Sequence, residues 1–522
     1  MRERFNTVAV AIPAQIFYVR CHVSIDRQVP VMTDFAVRLL HLSGPMEVSA
    51  IREYFGFSAG QLRDLLDILR EEGLVGEANG RISLTSYAES RFAVSEDGLP
   101  RFTKIAERQS RPIFELLSYT PLPKVLANNY WDNALELKWD ENSDVAGKTI
   151  ERAEAAFHKH FLDIERLEFE DEKRRAYSCY KVDDIRAGRP FSIPLPVHFD
   201  VDIEGNVEFE IDAQLELLPE SLRSQVRTLT ADRIATLSTH SDHLRTFVEY
   251  FNDELLARYL HKSTEDKNKG VVINADGKIG LRREPTIDFA KYVRDVHGQA
   301  NGEVYEGGKS KAVLGALYMP KNQSRLLDEL RKSFSSIKKS RNTGMPEAIF
   351  WVIPDSELWG RTSLVRDLIN GIQGVFQDTF DSPKEITAIA PCHQSEHRDR
   401  LFKRAHHLID AGFSRVILSP YQPKHQCVEV LLIPGVFGVA TYHWKTPNAT
   451  QYNVPFGFLT QSQAKLQKMA VFTMSTLTAS LHKVSRGNSN TPDDRRFKLE
   501  DAVVSEFVFL DHYIGSSRAP IT

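Results

Sequence analysis

The sequence predicts a multidomain protein that is α/β in its C-terminal part and α+β overall. Three observations lead to this prediction. Apolar residues near the N-terminus recur at intervals of three and four and run into a hairpin signal. Acidic and apolar residues alternate in two short segments around residue 205, and strand-length apolar runs alternate with amphipathic segments after residue 346. Periods of about 3.6 and 2 residues distinguish helices from strands.

The same patterns divide the chain into four consecutive regions. Residues 1–100 form a helical module with an N-terminal strand, and residues 101–265 form a mixed helical region with an acidic β-hairpin at 196–213. Residues 266–345 form a mixed connecting region, and residues 346–522 form an α/β sheet domain. Strands that alternate with helices are typical of a partly parallel sheet.

Composition indicates an ordinary globular protein. The 522 residues are 42% hydrophobic and 26% charged, and the formal net charge of −4 gives no general attraction to nucleic acid or anionic membranes. No apolar run approaches the ~18 residues of a membrane helix. The four cysteines lie far apart without a CxxC pair, which disfavours a disulfide framework or a thiolate zinc site. We expect a cytoplasmic protein with no cofactor and no membrane contact.

The N-terminal module is predicted to contain three helices and a hairpin. Thr33 is the expected N-cap of the first helix, and Ser-Gly-Pro at 43–45 ends it. A short second helix covers 48–55. Ser58 begins the third helix, where Gln61 three residues later completes the pattern of a capping box. Asn-Gly at 79–80 then joins two short strands, which is the strongest local signal for a hairpin.

Residues 48–84 of this module resemble a winged helix-turn-helix domain, whose full extent here would be 31–95. The wing corresponds to the sequence GEANGRISL. The resemblance implies that the third helix enters a DNA major groove and that the wing touches the phosphate backbone. On this sequence the implied contacts fall on Ser58, Gln61, Arg63 and Arg81.

Charge leaves the target of the winged helix open. Residues 31–95 hold six arginines and nine acidic residues, which gives a net charge of −3. A DNA-binding module normally neutralises several phosphates with lysine and arginine. DNA and a protein partner therefore both remain candidate targets.

The acidic hairpin is a candidate metal site. A three-residue loop at 204–206 would place Asp202 opposite Glu208 and Asp200 opposite Glu210. Like charges that face each other across strands are unfavourable unless something compensates them. Oxygen ligands of this kind suit Mg²⁺, Mn²⁺ or Ca²⁺. The alternative is an acidic face that contacts lysine or arginine from elsewhere in the fold.

The rest of the chain is predicted to be mixed helix and strand. A basic loop at 335–346 carries Lys338, Lys339 and Arg341, which are further candidates for phosphate contact. The remaining predicted helices are 102–117, 148–175, several within 216–262, 289–296, 323–334, 363–380, 395–411 and 461–484. The predicted strands of the C-terminal domain are 348–353, 385–390, 415–418 and two within 427–444.

One short motif in the C-terminal domain is a candidate catalytic site. His443-Trp-Lys445 follows a predicted strand, and Gly457 lies twelve residues further on. This spacing is similar to the phospholipase D superfamily, although Thr450 stands where that family has an aspartate. The resemblance implies that His443 attacks a phosphodiester while Lys445 stabilises the charge that develops on the phosphoryl oxygens. A single copy of the motif implies a homodimer.

Two weaker motifs complete the set. His393, Glu396 and His397 match the HxxEH pattern of inverted zinc peptidases, but a charged helix follows them. Gly308-Lys309-Ser310 resembles the end of a phosphate-binding loop, with Glu303 where its first glycine belongs.

The sequence thus predicts an accessory protein that docks on DNA or on a protein partner through its winged helix, as a homo-oligomer or within a larger assembly. A bacterial genome-defence or regulatory complex is the setting that this organisation suggests by analogy alone. The alternative is a phospholipase D-like phosphodiesterase or nuclease, a homodimer that acts through His443 and Lys445.

Overall fold

The structure is a computed structural model. It describes residues 2–26, 30–93, 103–128, 134–137, 149–169, 176–236, 243–260, 271–273, 279–281, 287–298, 304–305, 309–339, 346–392, 397–420, 426–445, 453–477, 482–485, 510 and 513–514.

The described residues contain fourteen named α-helices. They are α1 (Val31–Ser43), α2 (Val48–Phe55), α3 (Ala59–Glu71), α4 (Ser86–Ala93), α5 (Thr149–Lys159), α6 (Phe161–Glu168), α7 (Glu220–Ala235), α8 (Leu244–Phe251), α9 (Glu254–Ala257), α10 (Phe289–Gly298), α11 (Pro320–Lys339), α12 (Leu364–Phe380), α13 (Arg398–Asp410) and α14 (Gln463–Leu477).

The same residues contain twenty-one β-strands, which confirms the mixed α and β class. They are β1 (Arg2–Asp26), β2 (Met46–Glu47), β3 (Val75–Ala78), β4 (Arg81–Leu84), β5 (Thr103–Ser110), β6 (Ile113–Glu115), β7 (Pro121–Leu122), β8 (Leu135–Glu136), β9 (Ala176–Asp202), β10 (Val207–Ile211), β11 (Val271–Ile273), β12 (Ile279–Leu281), β13 (Val304–Tyr305), β14 (Ser310–Leu314), β15 (Ile349–Val352), β16 (Ile386–Cys392), β17 (Arg415–Pro420), β18 (Val428–Ile433), β19 (Phe437–Lys445), β20 (Asn453–Thr460) and β21 (His482–Ser485).

The chain forms two compact units, and each is built from separate stretches of sequence. The first unit comprises Met1–Ile12, Asn129–Trp139 and Ser192–Thr522. The second comprises Pro13–Asn128 and Asp140–Phe191. These units cross the consecutive boundaries that the sequence suggests, because the long strands β1 and β9 each supply residues to both.

The second unit contains the module that the sequence predicts to be a winged helix. Its three helices α1–α3 pack on a three-stranded sheet in the order β2-β4-β3, as the periodicity predicts. The leucines of α3 and Ile82 of β4 belong to one buried cluster. The N-cap prediction at Thr33 is wrong, since α1 begins at Val31 and Thr33 is buried inside it, with no hydrogen-bond partner for its hydroxyl among the described atoms.

The remainder of the second unit is a β-structure covered by helices. The C-terminal half of β1 pairs antiparallel with β5 and β6, and α5 and α6 contribute Phe157 and Phe161 to the shared core. The helix predicted over 102–117 is therefore wrong. The long helix predicted over 148–175 is two shorter helices in the described residues, divided near His160.

The first unit is organised around a nine-stranded sheet. Its order is β13-β14-β20-β19-β18-β15-β16-β17-β21, and β15, β16 and β17 are parallel neighbours while the other pairs are antiparallel. Helices α11, α12 and α13 pack against its apolar runs. The predicted strand and helix alternation is confirmed for this part, but the helix predicted to reach residue 484 ends at Leu477.

Candidate functional site

The start of α3 is fixed by its predicted cap. The Ser58 hydroxyl accepts a hydrogen bond from the Gln61 amide at 3.3 Å, and the Gln61 side-chain oxygen accepts one from the Ser58 amide at 3.0 Å. Two amide donors that the helix would otherwise leave unpaired are satisfied in this way. Both polar side chains predicted to read DNA are thus used to hold the end of the helix.

The outer face of α3 carries a line of carboxylates, which we call the acidic stripe: Asp64, Asp67 and Glu71. The three residues recur at intervals of three and four, so they lie on one side of the helix, and all are exposed. The buried leucines lie on the opposite side. Ile68, next to the stripe, leaves 38% of its surface exposed. An exposed apolar residue among carboxylates is typical of a protein-binding surface rather than of a phosphate-binding one.

The six arginines of the module fall into two groups. Three already have a partner within the module. Arg38 pairs with Asp34, and Arg70 pairs with Asp67 and Glu77. The Arg91 guanidinium lies 4.5 Å from the centre of the Tyr87 ring. The other three are exposed and have no ion-pair or hydrogen-bond partner among the described side chains, namely Arg52 on α2, Arg63 on α3 and Arg81 on the wing strand β4. Arg63 and Arg81 were predicted, whereas Arg52 was not.

The first five residues of the predicted basic loop, 335–339, are the end of helix α11. Lys338 lies on the exposed side of α11, and its ammonium group donates to the Thr379 carbonyl at 3.3 Å. Lys339 is the last residue of that helix, and Arg341 lies outside the described residues. No convergent phosphate site is formed by the described part of this segment.

The acidic hairpin has the predicted face but a different register. Strands β9 and β10 pair Val201 with Val207 and Asp200 with Glu208, so the predicted register is wrong by two residues. A shift of two keeps every side chain on the same face, because strand side chains alternate. The loop is longer than predicted, and the Asp202 carboxylate accepts hydrogen bonds within it from the amides of Glu204 and Asn206.

Arginines of β1 neutralise the carboxylates of this hairpin. Arg2 pairs with Glu208 at 2.7 Å, and Arg4 lies 3.1 Å from Asp200 and 3.9 Å from Glu210. Burial opposes ionisation of Asp202, but the hydrogen bonds from Asn206 and Glu204 hold the pKa of its carboxyl below the usual range. Within the described residues, no group of three or more His, Cys, Asp or Glu side chains is placed to hold a metal ion. The alternative reading, an acidic face compensated by basic side chains, describes this geometry.

The predicted catalytic histidine lies in the interior of the nine-stranded sheet. His443 is only 4% exposed, and its Nε2 atom is 2.9 Å from Oε2 of Glu429, which is fully buried. The other contacts of the Glu429 carboxylate are the indole N–H groups of Trp351 and Trp359, each at 2.9 Å, and the Thr441 hydroxyl at 3.1 Å. Three N–H or O–H donors and the His443 Nε2 atom surround this one carboxyl group, so its hydrogen-bonding capacity is filled within the fold.

This arrangement, the Glu429 cluster, does not present a nucleophile to solvent. Lys445 lies two residues beyond His443 on β19, at the exposed end of the strand, whereas the imidazole is enclosed. An in-line attack on a phosphodiester requires an accessible imidazole nitrogen beside the cation. Gly457, the glycine of the motif, is a strand residue paired with Thr441. The geometry favours a structural role for the cluster.

The two weaker motifs do not form sites in the described residues. The His397 side chain accepts a 3.4 Å hydrogen bond from the Asp399 amide and so caps α13, while His393 and Glu396 lie outside the described residues. Ser310 begins strand β14, and its hydroxyl lies 2.6 Å from that of Thr460. A phosphate-binding loop would instead lead into a helix.

A basic cavity of the first unit was missed at the sequence level. Its lining includes Arg400, Lys403, Arg404 and His407 of α13, whose spacing of three and four places them on one helical face. That spacing was visible in the sequence. The partners from α7 and from the segment after β15 could not be anticipated, because they come from distant parts of the chain.

Comparison with known proteins gives little. No protein-family model matches the chain, and no curated protein matches it. Among solved structures, NucT from Helicobacter pylori is 16% identical over 33% of this chain and 97% of that one, with a TM-score of 0.21. A structure described as TrmBL2, an archaeal chromatin protein that shows a novel mode of DNA binding, is 7% identical over 36% of this chain and 57% of that one, with a TM-score of 0.18. Scores this low decide neither fold nor function. In the described residues no helix is both long enough and apolar enough to cross a membrane.

Proposed function

We propose that this chain is an accessory protein whose winged helix docks on the basic surface of a protein partner. The observation that supports the proposal is the acidic stripe on the outer face of α3, the face that a winged helix offers to its target.

Charge is the reason to prefer a protein over DNA. A groove-reading helix lies between two rows of phosphates, and each carboxylate that it brings there is repelled by about 1 kcal/mol per nearby charge even in water. Asp64 and Glu71 have no cationic partner among the described side chains, and Asp67 shares Arg70 with Glu77. A basic protein surface turns the same charges into attraction, which steers association and sets its orientation.

Exposed apolar groups on α3 and α2 supply the other half of an interface. Ile68 is 38% exposed on α3, and Tyr54 is 66% exposed at the end of α2. Binding energy at protein interfaces is concentrated in a few buried apolar and aromatic anchors surrounded by polar contacts. Ile68 and Tyr54 fit the role of anchors, and the carboxylates fit that of the polar surround.

In-cell photo-crosslinking of the full chain tests this proposal. A photoreactive amino acid at position 68 leaves the acidic stripe intact, and we expect it to capture a specific protein. Charge reversal at the two ends of the acidic stripe, Asp64→Lys with Glu71→Lys, should lower the yield of crosslinked protein at least tenfold. The melting temperature should not change. The matched control carries the same photoreactive group at Leu162, an exposed apolar position on α6.

Two results would overturn the proposal. One is capture of nucleic acid rather than protein from position 68, which would make DNA the target through Arg52, Arg63 and Arg81. The other is a crosslinking pattern that is the same from positions 68 and 162 or that ignores the charge reversal.

A further inference from the structure

The basic cavity of the first unit lies where the parallel strands of the large sheet end. Its volume is about 290 Å³. Ile353 to Ser356, directly after β15, form one wall, and Ala390 and Pro391 at the end of β16 form another. Strand β15 is parallel to β16 on one side and antiparallel to β18 on the other. Open α/β sheets bind ligands in the crevice outside the carboxyl ends of their strands, where the order of the sheet changes.

The cavity has a surplus of positive charge. Five permanently charged cations line it, against three carboxylates, so two positive charges remain in excess with His407 neutral. The cations are Arg233, Arg361, Arg400, Lys403 and Arg404, and the carboxylates are Glu136, Asp355 and Glu357. Arg233 is 2.7 Å from Glu357, and Lys403 is 2.8 Å from Glu136.

Three arginines are held close together in this cavity. The Arg361 Nε–H donates to the Glu357 carbonyl at 3.1 Å, and an Arg404 N–H donates to the Pro391 carbonyl at 2.5 Å. Burial lowers the pKa of Arg361, and the charges of Arg233 and Arg404 lower it further against the opposing effect of Glu357 and Glu136. Clustered arginines are costly to withdraw from water, and an anion among them offsets that cost.

Two cationic groups of the cavity still have hydrogen-bonding capacity. The Arg233 side chain is only 13% exposed, and its Nε–H is buried without a hydrogen-bond partner among the described atoms. Arg400 lies exposed at the rim, and its guanidinium has no partner among the described side chains. A buried donor without a partner is uncommon in folded proteins, and it points to a group that binds there.

Much of the remaining lining is apolar. Ile353, Trp359 and Leu408 contribute to it, and the Trp359 indole is held by its 2.9 Å hydrogen bond to the buried Glu429. A rigid apolar wall opposite a few convergent polar groups is the usual construction of a small-molecule site. The volume lies near the lower end of the ~300–1,000 Å³ found for such sites.

From these features we infer that the cavity binds one small phosphate-bearing molecule of about mononucleotide size. Arg233, Arg361 and Arg404 would contact the phosphate, Arg400 would close over it from the rim, and the apolar wall would contact the rest of the ligand. Arginine is suited to this task because its planar fork donates two hydrogen bonds to phosphate oxygens. This inference does not depend on the docking proposal.

Calorimetric titration of the full chain with AMP, and separately with inorganic phosphate, tests the inference. We expect saturable binding of AMP, and tighter than that of phosphate because only AMP reaches the apolar wall. Arg400→Gln should lower the affinity for AMP at least tenfold, and Arg361→Gln should lower that affinity further. Arg331→Gln is the matched control, because Arg331 is an exposed arginine of α11 that does not line the cavity.

The remaining outcomes overturn the inference. Absence of saturable binding for both probes would do so. Equal weakening by Arg331→Gln and Arg400→Gln would show a general charge effect instead of a site. Binding of a 5′-phosphorylated oligonucleotide with no affinity for AMP would identify a nucleic-acid end as the ligand. Because Arg400 is exposed, its variant is expected to fold, and the melting temperature of each variant verifies this.

Discussion

Carboxylates on the outer face of α3 and at the centre of strands β18 and β19 lie in opposite environments. On α3, Asp64 and Glu71 stand in solvent without a cationic partner among the described side chains. In the sheet, Glu429 is fully enclosed and makes four hydrogen bonds. A buried polar group whose capacity is filled within the fold contributes to the architecture, whereas an exposed, uncompensated one is available to a partner. The contrast is the basis of our proposal that the N-terminal helical module docks on a partner, and of our hypothesis that the predicted catalytic motif is structural.

The strongest test of this contrast removes the buried carboxylate. Glu429→Ala leaves three buried donors without an acceptor and the His443 Nε2 atom without its partner, and each stranded donor costs about 1–3 kcal/mol. We expect a loss of more than about 4 kcal/mol in the free energy of unfolding, measured by urea denaturation. Glu71→Ala, the matched change on the acidic stripe, should stay within about 0.5 kcal/mol.

The opposite result would support the hypothesis that the motif is catalytic. If His443→Ala kept its stability but abolished metal-independent cleavage of a generic phosphodiester by the purified protein, His443 would be a nucleophile. The buried position of its imidazole predicts a loss of stability and no such cleavage.

A second test compares a glycine in each region. A Cβ on Gly457 would lie 2.1 Å from the Ala440 carbonyl oxygen and 2.8 Å from Thr441 Cα, both backbone atoms that cannot move aside. Gly457→Ala should therefore cost more than about 3 kcal/mol, since overpacking of a rigid core reaches or exceeds this value. Gly76 of the wing strand β3 has open space around it, so Gly76→Ala should change the urea midpoint little. Equal effects would mean that the centre of the sheet is looser than described.

The smallest effect concerns the cap of α3. Ser58→Ala removes the acceptor for the Gln61 amide, which typically costs about 1 kcal/mol. We expect the amides at the start of α3 to lose protection in hydrogen exchange, while those of β18 and β19 keep theirs. Ser90→Ala on α4, which removes a hydroxyl that bonds only within its own helix, is the control. Loss of amide protection in both α3 and the strands β18 and β19 would contradict the expectation that the two regions are stabilised independently.

The sequence predicted what is local and missed what is distant. The winged helix was readable because caps, turn residues and leucine spacing all act within a few residues. The acidic hairpin had the right face, since alternation sets the face, but its loop was longer than predicted. The Glu429 cluster was not foreseeable, because Trp351, Glu429 and His443 meet only when β15, β18 and β19 pair. The basic residues of α13 share a face that the sequence spacing indicates. The other side of the basic cavity comes from Arg233 and Arg361, which lie far away in sequence and could not be predicted to join it.

Titration of the full chain with duplex DNA at about 50 and 200 mM salt distinguishes docking on a protein from docking on DNA. A protein that neutralises several phosphates shows an affinity that falls steeply with salt, and each lost contact reduces the slope by about one. We expect no saturable binding of duplex DNA at the higher salt, and the same result for the triple variant Arg52→Gln, Arg63→Gln, Arg81→Gln. Tight duplex binding with a steep salt slope that this variant lowers by about three would contradict this expectation.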